Sequence, residues 1–318
     1  MGRNLELAIG ALNGTVGDYL ERTGNGLATA THIVDGGQPL DLSAASLAAR
    51  YPDPPRRLVV LVHGLMSTED VFHLEDGTTY GTLLERDLGI APFHVRYNSG
   101  RRISESGASI DRLLSDLVSG WPGPIDELLL IGHSMGGLVI RSATHVGSER
   151  ASPWVPLARR AFYVGSPHLG APLERFGNAL TWALGKLGHP VTALVADIVN
   201  LRSAGVKDLR YGNLRREDWE GHDADALLEN HRHPAPLLPH IRHHLIAGSL
   251  SPDVASTILL GDVLVPVRSA AGRAAPKDRS PHFPQEHVRI LAGMNHLRLA
   301  HDPQVYALIR AWCEEALP

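Results

Sequence analysis

Short apolar runs recur along the chain at intervals too long for hairpins. They are LVVLVH (58–63), FHVRY (93–97), ELLLIG (127–132), AFYVG (161–165), HHLIAG (243–248) and VRILAG (288–293). Each is short and bounded by turn residues, and β-branched residues recur among them, the pattern of strands buried on both faces. Helical periodicity lies between several of them. In SIDRLLSDLVSGW (109–121), Ile110, Leu113, Leu114, Leu117 and Val118 fall on one helical face. Alternation of this kind predicts an α/β fold, with a mostly parallel sheet and helices on both faces.

The chain ahead of the first such strand has a different pattern. Residues 1–28 read as a helix-rich lead-in, with Leu5, Ile9, Leu12 and Val16 near helical spacing between glycines. THIVDGGQPLDL (31–42) predicts a β-hairpin around Asp35-Gly36-Gly37, and YPDPP (51–55) a rigid connector. Residues 1–55 are therefore expected to pack as a helix and hairpin on a main domain spanning 56–318. One stretch of that domain breaks the alternation. LTWALGKL (180–187) and VTALVADIVNLRSAG (191–205) are apolar and amphipathic, so 171–240 is expected to form a helical cap inserted between two strands.

Composition narrows the function classes. A chain of 318 residues, 43% of them hydrophobic, suffices for a sizeable core. A net charge of −4, with both signs interspersed and no basic tract, gives no footprint for nucleic acid. The single cysteine, Cys313, excludes an internal disulfide and reads as a buried bystander. No apolar stretch approaches the length of a membrane span, and Glu6 interrupts the only candidate leader. The expectation is a cytoplasmic protein without stable membrane insertion, with leaderless export as the alternative.

The stretch LLLIGHSMGGLVIR (128–141) interrupts the strongest core pattern with small and polar residues. Gly132-His133-Ser134-Met135-Gly136 has the form G-x-S-x-G between a buried strand and a helix. Glycines two residues either side of Ser134 permit a sharp strand-to-helix turn that exposes its Oγ in a strained conformation. The following helix points its N-terminal amides at the same place, which favours developing negative charge. Ser134 is thus a candidate nucleophile.

A serine hydroxyl needs a base to take its proton. In elbow-type sites the acid and base follow in the order Ser, Asp or Glu, His. Asp262, in LLGDVLVPVRSA (259–270), is the preferred acid over Asp253 and Asp278. His296, just after the last predicted strand, is the preferred base over His287 and His301. Two backbone amides should meet the oxyanion. Met135 follows the nucleophile, and Leu65 follows His63-Gly64 in the loop after the first long strand. His63 itself reads as structural.

HGLM (63–66), GHSMGG (132–137), VGSPHLGAP (164–172), GDVLVP (261–266) and NH (295–296) together resemble the bacterial lipase and esterase branch of the α/β-hydrolase superfamily. The resemblance covers roughly 56–316. It implies the α/β-hydrolase fold, a triad of Ser134, Asp262 and His296, oxyanion donors Leu65 and Met135, and a helical lid. It matches nothing in the first 50 residues.

The reading is a serine hydrolase that cleaves carboxylic esters of acyl chains, needing neither metal nor organic cofactor. Its substrate is expected to be an acyl ester, met in solution or at a lipid interface. Acyltransferase, thioesterase or polyester depolymerase activity would use the same triad, and a non-catalytic binding protein could keep the scaffold. The histidines of 222–244 (His222, His231, His233, His240, His243, His244) match no metal-ligand spacing and read as a solvated loop. Arg101 and Arg102 read as surface charges.

Overall fold

The computed structural model describes residues 3–171, 203–221, 231–249 and 281–317. Most of the expected cap (172–202 and 222–230) lies outside them, as do Asp253, Asp262 and Asp278.

The lead-in forms helix α1 (Arg3–Arg22), kinked at Val16 (φ −136°, ψ 17°). Strands β1 (His32–Asp35) and β2 (Gln38–Pro39) make the expected hairpin. Gly36 and Gly37 both take positive φ, 55° and 80°, which a two-residue turn matched to strand twist requires. A short helix α2 (Ala44–Arg50) follows, its first turn capped by the Ser43 hydroxyl accepting from the Ser46 amide.

Strand β3 (Arg57–Val62), helix α3 (Tyr80–Leu88), strand β4 (Ala91–Arg96) and helix α4 (Ile103–Gly120) come next. After them run strand β5 (Glu127–His133), helix α5 (Met135–Glu149) and strand β6 (Ala158–Val164). Within the described part of the stretch expected to form a cap, α6 (Ala204–Tyr211) is a helix. Strands β7 (Arg242–Ser249) and β8 (Val288–Ala292) and helix α7 (Pro303–Glu314) complete the order. Every one of the six predicted strands is present. Helix α4 starts six residues before its apolar period does, because apart from Ile103 its first turns bury the small residues Ser104, Ser106 and Gly107. Gly107 lies against α5, where a Cβ would fall 2.4 Å from Ser142 Oγ.

The eight strands form one sheet in the order β2-β1-β4-β3-β5-β6-β7-β8. Pairs from β4 through β8 are parallel, and β1 joins β4 antiparallel. Alternate residues of each central strand enter different cores. Leu58, Val60 and Val62 pack with Leu114, Leu117, Leu138 and Val139 of α4 and α5. Val59 and Leu61 pack with Leu84 of α3 and Val305, Ile309 and Trp312 of α7 on the other face. Continuous apolar strands follow from this two-sided burial. Cys313 is buried in the second core. Among the described residues no helix is long and apolar enough to cross a membrane.

Candidate active site

The strand order fixes where a site can form. The chain leaves β3 for β4 on one side and returns to β5 on the other, so the loops after β3 and β5 diverge. Such a switch point leaves a crevice at the carboxyl ends of the two strands. Val62 pairs with Gly132 there, so the loop beginning at His63 and the turn at Ser134 are neighbours.

Ser134 stands between β5 and α5 with φ 55° and ψ −123°, a conformation that costs a non-glycine residue about 1–3 kcal/mol. Its amide donates to the Val164 carbonyl (2.8 Å) and its carbonyl accepts from Gly137 (3.1 Å). Its hydroxyl does not cap α5. The glycines of the motif are close-approach positions. A Cβ at Gly132 would lie 2.5 Å from the Gly137 amide nitrogen of α5, and one at Gly136 would lie 2.2 Å from the Val62 carbonyl of β3. Those contacts hold the turn in its strained form.

The loop after β3 is built around His63. Its Nδ1 donates to the Gly64 carbonyl (2.8 Å), and its Nε2 accepts from the Tyr97 amide (3.4 Å). Full burial pulls this histidine down to about 4, so the ring stays neutral and keeps that tautomer. The Gly64 carbonyl and the Leu65 N–H belong to one trans peptide and point in opposite directions. Fixing the carbonyl on His63 therefore aims the Leu65 N–H away from it. That N–H makes no hydrogen bond among the described residues. Gly64 touches the Ser134 turn, where a Cβ would come within 2.9 Å of Ser134 Cβ. Met135, the first residue of α5, has no intrahelical acceptor for its amide.

His296 is buried after β8 and held on two sides. Its carbonyl accepts from His133 Nε2 (3.0 Å), and the two rings lie 5.0 Å apart. Gly165 (φ 66°) brings bare backbone under the ring, since a Cβ there would sit 3.2 Å from His296 Nδ1 and Cε1. Ser134 and His296 thus share one support, the Val164–Gly165 dipeptide at the end of β6. Burial and the neighbouring His296 lower His133 to about 3. A neutral ring donating through Nε2 leaves Nδ1 bare, and Nδ1 has no partner among the described residues.

The rival histidines lie elsewhere. His287 is at the amino end of β8, beside His244 (ring centroids 4.4 Å apart). His301 turns its Nδ1 to the Val71 carbonyl (3.1 Å). Arg102 pairs with the buried Asp208 (2.8 Å) and Arg101 with Glu21 (2.9 Å), so both are structural ion-pair partners and not free surface charges. Of the histidine-rich stretch, His243 and His244 are buried strand residues of β7, a correction to the solvated-loop reading. Among the described residues no three metal-ligating side chains converge. Sequence pattern alone does not point to Gly165 or to the His133 bond; a glycine just after a strand and a histidine just before Ser134 are the available signals.

No family model matches this sequence, and no curated protein does. Solved structures match over most of its length. The mature lipase BlEst2 of Bacillus licheniformis is 15% identical, with 82% of this chain and 93% of that chain covered at a TM-score of 0.51. The RedJ thioesterase from the prodiginine biosynthetic pathway of Streptomyces coelicolor is 20% identical, covering 83% and 92%, with a TM-score of 0.46. The Pyrococcus furiosus esterase Pf2001 is 12% identical, covering 83% and 82%, with a TM-score of 0.47. The likeness to the lipase concerns the fold. With the sheet order above, the chain has the α/β-hydrolase fold.

Proposed function

We propose that the protein is a serine hydrolase that cleaves carboxylic esters of acyl chains. The strained Ser134 turn carries this reading, because its backbone cost is offset only if presenting that hydroxyl matters. In the proposed cycle Ser134 Oγ attacks the ester carbonyl carbon as His296 takes its proton. Asp262 orients the His296 ring and stabilises its charged form. The carbonyl oxygen, now negative, accepts from the Leu65 and Met135 amides. The tetrahedral intermediate collapses, its C–O bond to the alcohol breaks, and His296 returns the proton to that leaving oxygen. Water then attacks the acyl-enzyme by the same steps, releasing the acid and restoring Ser134. No metal or organic cofactor enters this cycle.

The test is hydrolysis of p-nitrophenyl esters of increasing chain length, with matched thioesters and an alcohol acceptor alongside. The expected result is oxyester hydrolysis that falls by about 10⁴-fold or more in Ser134→Ala. Retention of most activity in that variant would remove Ser134 from the mechanism. Faster turnover of thioesters, or acyl transfer to the alcohol ahead of water, would reassign the substrate and keep the nucleophile.

A further inference from the structure

The N-terminal helix lies outside the part of the chain that resembles other hydrolases, yet it meets the oxyanion-side loop directly. Its buried face is not the apolar one. Gly10, Asn13, Gly14, Thr15 and Gly17 are buried, while Leu5 is half exposed. The glycines let the helix backbone touch the loop. A Cβ at Gly14 would lie 2.5 Å from the Met66 amide nitrogen and 2.6 Å from its Cα, and one at Gly10 would lie 2.7 Å from Thr68 Cγ2. Side chains from elsewhere also tie the helix backbone down. Ser203 Oγ donates to the Gly14 carbonyl (2.7 Å), and Asn98 Nδ2 donates to the Gly17 carbonyl (2.8 Å).

What α1 presses on is itself strained. Met66 has φ 56°, in the left-handed region that non-glycine residues avoid. Its amide donates to the hydroxyl of the buried Ser99 (3.1 Å). That bond takes the Met66 N–H out of the set of free donors and anchors the residue next to Leu65. A left-handed methionine relaxes unless something holds it, and here the Ser99 hydroxyl and the backbone of α1 hold it from two directions.

We propose that Ser99 and the Gly14 face of α1 are positioning elements for the oxyanion donor. They lock Met66 in its left-handed form and so keep the Leu65 N–H on the reacting carbonyl oxygen. Catalysis is sensitive to this because displacements near 1 Å cost about a hundredfold in rate. The proposal builds on the ester-hydrolase reading.

The experiment compares Ser99→Ala, which removes one buried acceptor, and Gly14→Ala, which drives a methyl into Met66, with the full-length parent. Gly26→Ala is the control, since nothing lies within 4 Å of a Cβ there. For each, kcat and KM are measured on a p-nitrophenyl ester, with Ki for an alkyl boronic acid and for the free acid product. A boronate places a tetrahedral oxygen on the oxyanion donors; the product acid does not depend on them in that way. The expected result is kcat down about 10- to 100-fold and boronate Ki up by a similar factor. KM and product Ki should stay within about threefold, and the control unchanged. Unchanged kcat in Ser99→Ala would overturn the proposal. So would boronate and product affinities falling together with the melting temperature, which is loss of fold support alone. If Gly14→Ala does not fold, Ser99→Ala decides. Activity surviving in Ser134→Ala would instead sink the ester-hydrolase reading itself.

Discussion

The two ends of the central sheet are built on opposite principles. At the amino ends of β3, β5 and β6, charges are closely satisfied. Arg57 donates to Glu127 (2.9 Å) and to the Cys313 carbonyl (3.0 Å), and the buried Arg160 pairs with the same Glu127 and with the Glu315 carbonyl. Two guanidiniums thus meet one carboxylate and the carbonyl end of α7, where the helix dipole favours positive charge. At the carboxyl ends the backbone itself is under load. Ser134 and Met66 hold positive φ, Gly132, Gly136 and Gly165 permit contacts no side chain would allow, and His63 and His133 stay neutral. The difference teaches where each property resides. Strain and free donors gather where the chemistry is proposed, and the satisfied end supplies stability that offsets them.

This division predicts that changes at the carboxyl end cost activity first and changes at the amino end cost stability first. Gly136→Ala should have the largest effect, because its Cβ would collide with the Val62 carbonyl. Hydrolysis should fall about 10³-fold, as expected when the proposed nucleophile and oxyanion donor both shift. An active Gly136→Ala enzyme would show that the turn is not under the constraint described. Arg160→Met tests the other end. It leaves Glu127 buried with one cation, and thermal or urea melts should show a loss of about 3 kcal/mol. The folded fraction should keep its kcat, and a fall in kcat there would break the comparison.

Acidification should weaken both ends. Burial lowers His63, His94 and His243 to about 4, His133 to about 3 and His244 to about 2. The unfolded chain, with histidines near 6.5, takes up protons that the folded chain refuses. The contribution is therefore complete above pH 6.5 and lost as pH falls below it. Each such histidine adds a slope of about 1.4 kcal/mol per pH unit between 6.5 and its folded value. Melting temperatures that do not fall between pH 7 and 5 would contradict this. The smallest effect is expected for His133→Phe, which keeps a ring and removes the bond to the His296 carbonyl. Stability should drop by about 1 kcal/mol, with kcat about tenfold lower if that bond seats the base. Unchanged kcat would reduce His133 to packing.

Much of this was legible in the residues. Two-sided burial leaves continuous apolar runs, so the central parallel strands stood out; β8 stood out by its apolar run too, but it is an edge strand with Ile290 exposed and not the doubly buried strand expected. The Ser134 turn stood out because its glycines interrupt such a run. Helix α1 was readable as a helix, but its apolar spacing pointed to Leu5, Ile9, Leu12 and Val16 while the buried face is the glycine one. Close backbone approach leaves no hydrophobic signature. The start of α4 was hidden for the same reason, by buried serines and Gly107.

Local pattern, then, determined which segments are strands and helices, and where one serine had to sit on a strained turn. Both follow from side-chain burial and backbone sterics within a few residues. Only the tertiary structure decided which distant groups meet. It set His296 on Gly165 while sending His287 and His301 away, it laid α1 across Met66, and it paired Arg102 with Asp208. Those choices depend on strand order and on contacts between segments far apart in the chain, and a linear pattern carries no trace of them.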